Sequence, residues 1–330
     1  MLKWILPFLV CFPFLVHARK ALVGNPASQE EGPWFTGPLL TSSGHVVPEG
    51  HANYEPYIYW FVDKGGYTKH WKYKASPPTF RAGLSQTALQ FGIFPGVEID
   101  FIPQILYNNS AGKHMWRIAD QPFAMAFQLL MDEKDSWWPA IKMRVSATIP
   151  LGKYDRLDPH KFLTDFGGLG TWSPTIGFVT VKIFNFGNDH FLAWRTAYNF
   201  AITTPISVHG LSVYGGVPSV DGIKGTRGTV YPGCIFVTQQ GFEFSLNHNW
   251  VLALDLQYQH SNRTRFSGRS PKGTKPGGPS AELFSIAPAL EYNFSANIGV
   301  IAGPWFTVAG RNDNLTDEFL AWVFAINIYH

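Results

Sequence analysis

The side chains best suited to chemistry in this 330-residue chain lie in one short run, from Tyr258 to Arg263. His260 stands directly before Ser261 there, and an imidazole that accepts the proton of a serine hydroxyl makes that oxygen a nucleophile. The run ends a stretch of strand-like alternation, however, and adjacent residues of a strand point to opposite faces. Only a β-bulge would bring the two side chains together. The pattern therefore favours a polar strand end over a catalytic pair.

Metal and phosphate chemistry have less support. The histidines are scattered without the paired spacing of a zinc site. Cys234 is the one cysteine outside the N-terminal apolar segment, so no internal disulfide is expected. The glycine runs at 167–170 and 215–216 lack the strand-to-helix context of a phosphate-binding loop. We therefore predict no catalytic residue, no metal site and no cofactor.

Residues 1–18 are organised as a signal peptide. Lys3 gives a positive start, the residues from Trp4 to Val16 are apolar, and Ala18 supplies a small residue at the expected cleavage site. The apolar stretch is too short for a membrane helix, which needs about 20 residues. We predict export and cleavage after Ala18.

The composition of the chain suits a membrane barrel. Aromatic residues make up 16% and charged residues only 15%, against about 25% charged residues in soluble domains. No later stretch reaches the roughly 18 consecutive apolar residues of a membrane helix, and closed barrels are the other structure that satisfies its backbone in lipid. The net charge of +3 gives no reason to expect nucleic acid as a partner.

Period-two alternation along the chain predicts strands. Leu252, Leu254 and Leu256 share one face of a segment, for example, while Asp255 and Gln257 share the other. Such segments are about ten residues long, which suits a tilted membrane crossing. Twelve are predicted, at 52–62, 80–93, 97–107, 121–131, 140–151, 174–186, 190–202, 235–246, 250–260, 283–294, 298–309 and 318–330.

The links between these strands alternate in length. Those after even-numbered strands are brief, whereas those after odd-numbered strands are long, at 63–79, 108–120, 152–173, 203–234, 261–282 and 310–317. Bacterial barrels pair short periplasmic turns with long extracellular loops in this way. The sequence therefore predicts an all-β, transmembrane antiparallel β-barrel of about twelve strands (10–14) at 52–330, in the outer membrane. Within 203–234, a hairpin, a loop folded into the lumen and two extra crossings all stay open.

Residues 19–51 contain four prolines and no sustained alternation, so they are predicted to be an irregular lead-in. A periplasmic extension is favoured over a partial plug of the pore. Aromatic residues near the strand ends, which suit the two interfacial girdles of a barrel, include Tyr57, Tyr59, Trp60, Tyr107, Trp137, Trp138, Trp172, Trp250 and Trp305.

If the apolar face of each strand meets lipid, six acids and four bases fall in the lumen. Charges on the lipid side would be costly, which supports this register. The ten side chains could pair across the barrel or line a wet, ion-selective channel, and neither alternative is preferred. They are Glu55, Glu98, Asp100, Lys142, Arg144, Lys182, Arg195, Glu243, Asp255 and Glu291.

Five runs of the chain carry a family resemblance. The runs 33–40 and 51–57, followed by 285–293, 299–303 and 308–312, resemble the entry and last strands of the MetA-pathway phenol-degradation family of bacterial outer-membrane β-barrels. The resemblance implies a transporter barrel that admits hydrophobic or aromatic small molecules, with no catalytic residues. One departure is that His330 occupies the final outward position, where barrels usually end on an aromatic residue for the assembly machinery.

Three functions follow as hypotheses. The first is an outer-membrane channel or uptake barrel for small solutes, with lipid, the barrel-assembly machinery and the solute as partners. The second is a lipid hydrolase centred on His260, since outer-membrane phospholipases of the A type carry a His-x-Ser-Asn run at a similar place. The third is a closed structural or adhesive barrel that acts through its extracellular loops.

Overall fold

The computed structural model describes residues 34–132, 137–188, 190–312 and 318–330. The predicted signal peptide at 1–18 and residues 19–33 of the lead-in lie outside these residues. Among the described residues, no helix is both long and apolar enough to cross a membrane.

Seventeen strands make up the described fold, and fourteen of them form one antiparallel sheet. β3 and β4 are two parts of one crossing, because both pair with β2, and β5 and β6 continue one another in the same way. The result is a closed barrel of twelve crossings, which confirms the predicted fold class. The strands are β1 (Ala52–Tyr67), β2 (Tyr73–Phe94), β3 (Val97–Phe101), β4 (Gln104–Ser110), β5 (Lys113–Ile118), β6 (Gln121–Leu130), β7 (Ala140–Ile149), β8 (Thr175–Gly187), β9 (His190–Ala201), β10 (Ile206–His209), β11 (Arg227–Tyr231), β12 (Ile235–Ser245), β13 (Trp250–Ser261), β14 (Arg265–Arg269), β15 (Ala281–Ser295), β16 (Ile298–Arg311) and β17 (Glu318–Tyr329).

The barrel closes where β1 pairs with β17. The amide of Ala52 donates to the carbonyl of His330, and the amide of His330 donates back to Ala52, both at 2.9 Å. The ring of Tyr329 stacks on His51 with the centroids 5.4 Å apart. Closure gives each of the twelve described crossings a partner on both sides, which is what a β structure in lipid requires. β5, which continues the β6 crossing toward the long-loop end, pairs with β4 alone among the described strands.

Most of the short links are observed as predicted, but two of the predicted long links are largely strand. β1 continues to Tyr67 and β2 begins at Tyr73, whereas the sequence predicted a link at 63–79. The hairpin of β4 and β5 likewise occupies most of the link predicted at 108–120. Alternation fades in these extensions because neither face meets lipid there. Pairing between the backbones continues all the same in both hairpins. β2 has 22 residues, about twice the 9–11 of a tilted membrane crossing, so the first hairpin extends beyond the membrane.

The long link at 203–234 contains a hairpin, formed by β10 and β11. β14, from the next long link, pairs with β11 and completes a separate three-stranded sheet. Of the three alternatives that the sequence left open, the hairpin within the loop is therefore the one observed. The number of barrel crossings stays at twelve.

Many inward positions of the barrel carry alanine, whereas outward positions carry large apolar residues. Ala253 and Ala321 are buried, while their neighbours Leu252 and Trp322 are exposed toward the lipid side. Small inward side chains leave room for contents within the lumen.

Three of the predicted girdle aromatics are placed wrongly by the sequence. Tyr57, Tyr59 and Trp305 belong to the inner cluster that contains Ala321, Val323 and Ala325. An aromatic residue near a strand end suits either face, and only the register decides between them. Trp60, Trp172 and Trp250 are exposed.

The two-faced alternation predicts unequal effects of arginine at neighbouring positions of β13. Leu256→Arg places a charge on the lipid side near the middle of the strand and should cost about 2–4 kcal/mol of unfolding free energy. Gln257→Arg, on the inner face, should cost clearly less. Denaturant unfolding of both variants in lipid vesicles measures the difference, and equal losses would contradict the assigned register.

Candidate functional site in the barrel lumen

Nine of the ten predicted lumen residues occupy inward positions. Glu98, Lys142, Glu243, Asp255 and Glu291 are almost completely buried, and Asp100 and Arg195 are buried as well. Glu55 and Arg144 are half-buried and line a cavity in the lumen.

Lys182 is the exception. Its register partner on β9 is Trp194, an exposed outward residue, whereas Val181 pairs with the inward Arg195. The ammonium of Lys182 forms an ion pair with Asp132, next to β6. β8 is apolar on both faces near this point, so alternation alone assigned Lys182 to the wrong face.

Three ion pairs join the inward bases to inward acids. Lys142 Nζ lies 3.5 Å from Glu98 Oε1, and Arg144 Nε lies 3.1 Å from Asp100 Oδ2. The guanidinium of Arg195 lies 2.6 Å from Glu243 Oε2. Removal of one partner from such a pair would leave a buried charge uncompensated, which is strongly destabilising.

The remaining inward acids bond to neutral donors. Within the described residues, Glu55, Asp255 and Glu291 have no cationic partner. The carboxylate of Glu55 accepts hydrogen bonds from the side-chain amides of Asn53 and Asn327. Asp255 and Glu291 accept hydrogen bonds from the segment 34–50, which lies inside the barrel.

Backbone amides of this lumen segment, residues 34–50, bond to four carboxylates of the wall. Leu40 and Thr41 donate their amides to the two oxygens of Asp255, both at 3.0 Å, and the Thr41 hydroxyl donates at 2.6 Å. Further amides donate to Glu291 (Thr36, 2.6 Å), Glu243 (Gly37, 2.9 Å) and Glu98 (Val47, 2.6 Å). Charge-assisted bonds of this kind are about twice as strong as neutral ones.

Both ends of the lumen segment lie at the short-turn end of the barrel. Trp34 contacts His248 in the turn before β13, with ring centroids 4.1 Å apart. At the other end, Gly50 donates its amide to Gly92, close to the turn between β2 and β3. The middle of the segment reaches Asp255, about halfway along β13. The segment is therefore a loop that enters and leaves through the same opening.

Two glycines shape the wall to this loop. A Cβ at Gly241 would lie 2.8 Å from Pro38 and 2.9 Å from Thr41, and a Cβ at Gly299 would lie 2.1 Å from Thr36. Distances below 3.0 Å require one of the two groups to move. The loop thus sits where the absence of side chains makes room for it.

Aromatic rings line one side of the inner wall above the loop. Tyr57, Tyr59 and Phe61 stack along β1 with successive centroids 5.8 Å apart. Phe61 also contacts Trp305 at 5.9 Å and Phe319 at 5.8 Å. These five residues, which we call the aromatic ladder, run from mid-barrel toward the long-loop end.

A cavity of about 170 Å³ lies at the foot of the aromatic ladder. Residues 36–43 of the lumen segment form one side of it, and Tyr57, Tyr59, Gln86 and Arg144 are on the opposite wall. The Tyr59 hydroxyl accepts a hydrogen bond from Gln86 at 3.3 Å. The cavity thus offers both aromatic faces and hydrogen-bonding groups.

The polar run near His260 has a different arrangement from a catalytic pair. His260 Nδ1 lies 3.7 Å from Glu282, and its Nε2 lies 3.1 Å from the side-chain oxygen of Asn262. Glu282 also pairs with Arg311 at 2.6 Å. No hydrogen bond between His260 and Ser261 is found among the described side chains. Across all the residues that the structure describes, no group of three or more acidic, histidine or cysteine side chains is arranged to hold a metal ion.

Comparisons with solved structures give likenesses of fold. An outer membrane channel from Pseudomonas putida F1 has a TM-score of 0.62 and 10% identity, over 88% of this chain and 98% of that one. The NanC porin gives 0.40 at 8% identity over 83% and 98%. The toluene transporter TbuX of Ralstonia pickettii gives 0.31 at 10% identity over 92% and 93%. No family model and no curated protein sequence matches the chain.

The first of these likenesses shows that the chain has the barrel fold of an outer-membrane channel. The sequence resemblance to the phenol-degradation family stays a hypothesis.

Sequence reasoning missed the contacts of the lumen segment. The available signal was the excess of six acids over four bases on the inward faces, because buried carboxylates without cations need other donors. The amides of an irregular, proline-containing segment beside the barrel are such donors.

Asp255→Asn should loosen the lumen segment. The variant loses the charge and one of the two acceptors, which is worth about 1.5–3 kcal/mol for a charged hydrogen bond. Amide exchange at Leu40 and Thr41 should accelerate by roughly tenfold or more. Glu282→Gln, away from the segment, serves as the control, and unchanged exchange in Asp255→Asn would count against these bonds holding the segment.

Proposed function

We propose that this protein is an outer-membrane channel or uptake barrel for small solutes that carry an aromatic or otherwise apolar ring. The aromatic ladder is the observation that carries the proposal, because it lines the inner wall between the long-loop end and the lumen cavity. The closed barrel and its likeness in fold to an outer membrane channel are consistent with it. The sequence resemblance to a family of hydrophobic-solute transporters points the same way.

The dimensions of the cavity fit such a solute. Its volume of about 170 Å³ is similar to the ~150 Å³ of an engineered protein cavity that binds benzene. A ring can lie against Tyr57 and Tyr59, since offset or edge contacts between aromatic rings are favourable. Gln86 and Arg144 supply hydrogen bonds for a polar substituent on the ring.

We further propose that the lumen segment is a partial plug. It occupies the half of the lumen near the short turns, where hydrogen bonds to four carboxylates of the wall hold it. A solute that leaves the cavity toward the short-turn end has to pass beside it. Displacement of the loop would widen that path without breaking any strand pairing of the barrel. In this proposal the inward acids hold the loop, and ion selection is secondary.

Removal of the plug should raise conductance. A variant without residues 34–48, exported behind the native signal, should show larger unitary currents in a planar bilayer than the parent. As an alternative that keeps the full chain, Asp255→Asn removes the charge that accepts the amides of Leu40 and Thr41 and should also increase the current. Equal currents in all forms would reject the plug, and a silent but folded parent would reject the channel.

Removing one ring from the aromatic ladder should weaken the binding of aromatic solutes selectively. Tyr59→Ala and Phe61→Ala should each shorten the current blocks caused by benzoate by about two- to tenfold, which corresponds to ~0.5–1.5 kcal/mol for a ring contact. Blocks by cyclohexanecarboxylate, which has the same charge and similar size, should change less.

Ile58→Ala, on the outer face of the same strand, is the matched control and should leave both solutes unaffected. If the ladder variants and the control behave alike, the ladder is not the solute path.

A further inference from the structure

The link between β13 and β15 is strongly basic. Between residues 262 and 280 it contains no acidic residue and five basic ones, which are Arg263, Arg265, Arg269, Lys272 and Lys275. The link lies at the long-loop end of the barrel, which is the extracellular end in bacterial barrels. Part of it is β14, the outer strand of the three-stranded sheet.

The two faces of that sheet differ in chemistry. Val208, Val230 and Phe266 are buried on one face, where Tyr154 and Tyr214 of neighbouring loops pack against them. Residues alternate along a strand, so the opposite face points away from those loops. It carries Arg227 of β11 together with Arg265 and Arg269 of β14, and all three are exposed. We call this face the arginine face.

The arginines of this face stand next to one another. Arg227 is directly opposite Arg269 in the register, and Arg265 is opposite Tyr231. Like charges directly opposite each other destabilise a sheet. His209 continues the row on β10, and it is paired with Asp155 at 3.3 Å. Among the described residues, no carboxylate forms an ion pair with any of the three arginines.

The arginine face follows directly on two barrel strands: three residues separate β11 from β12, and three separate β13 from β14. The outward aromatic residues near the end of β13 are therefore the part of the barrel wall closest to it along the chain. Tyr258 and Phe284 lie on neighbouring outward positions of β13 and β15, with ring centroids 4.7 Å apart. Trp71 contacts Phe284 at 6.1 Å, and the guanidinium of Arg311 lies 5.8 Å from the Trp71 ring. An aromatic rim followed by cations is the order of groups expected where a bilayer gives way to its headgroups.

We infer that the arginine face binds the phosphate groups of an outer-leaflet glycolipid, through Arg227, Arg265 and Arg269. A phosphate can accept paired N–H bonds from a planar guanidinium, and one between Arg227 and Arg269 would offset their mutual repulsion. Lipid is favoured over a dissolved anion because links of three residues join β11 and β14 to the membrane-crossing strands β12 and β13, and because the face is on the side of the small sheet away from Tyr154 and Tyr214. The inference does not depend on transport.

The test uses the full mature barrel, folded in detergent, with purified bis-phosphorylated lipid A as the probe at 0.15 M salt. Arg227→Gln/Arg265→Gln/Arg269→Gln should bind it roughly tenfold more weakly or worse, as expected for lost charge-assisted bonds. Lys69→Gln/Lys72→Gln/Lys74→Gln removes the same charge from exposed residues at the same end of the barrel and should bind like the parent. Lipid A stripped of phosphate should bind weakly to all three proteins.

Each other outcome overturns the inference. Equally weakened lipid A binding in the two triple variants would show that binding depends on general charge attraction and not on the arginine face. Equal binding of dephosphorylated lipid would show that the phosphate is not the group recognised. Displacement by equimolar inorganic pyrophosphate would show that the ligand is a dissolved anion. Native strand content in the arginine variant, measured by circular dichroism, excludes misfolding as the cause of a loss.

Discussion

A carboxylate held inside a barrel must find a donor, and the arrangement of this lumen depends on that requirement. Burying an unpaired charge is far more costly than burying a hydrogen-bonded one. Three acids meet the requirement with lysine or arginine, whereas Asp255 and Glu291 meet it with the backbone of residues 34–50. The path of that segment, the position of the cavity beside it and the glycines that make room for it all follow from where the acids stand.

How much of the fold and of the lumen site could be predicted from the sequence depends on how sharply apolar and polar residues alternate along each strand. β13 has large apolar residues on one face and small or polar ones on the other, so its bounds and the inward position of Asp255 could be predicted. β8 is apolar on both faces, and there the same reasoning assigned Lys182 to the lumen. Tyr57 and Tyr59 were assigned to the lipid boundary because residue type, without register, suits either face. The contacts of 34–50 have no periodicity at all, since each depends on a single amide and a carboxylate more than 50 residues away.

The barrel separates different kinds of chemistry by face and by height. Ion pairs and the lumen segment occupy the half near the short turns, and the aromatic ladder occupies the inner wall toward the long loops. Outside, the apolar rows of β13 and β15 lead to an aromatic rim and then to the arginine face. A single alternating strand can serve two of these environments at once because its two faces are independent. The same independence lets the outer face adapt to lipid while the inner face adapts to a solute.

The loop geometry of the lumen segment also bears on how the molecule is assembled. The seam between β1 and β17 joins residues from opposite ends of the barrel sequence, which is the pairing with the largest loop-closure entropy and therefore one expected to form late. Because residues 34–50 enter and leave through one opening, they can fold into a barrel that has already closed. No chain end has to be threaded through the ring of strands. The geometry therefore does not require the lumen to be filled before the barrel closes in the membrane.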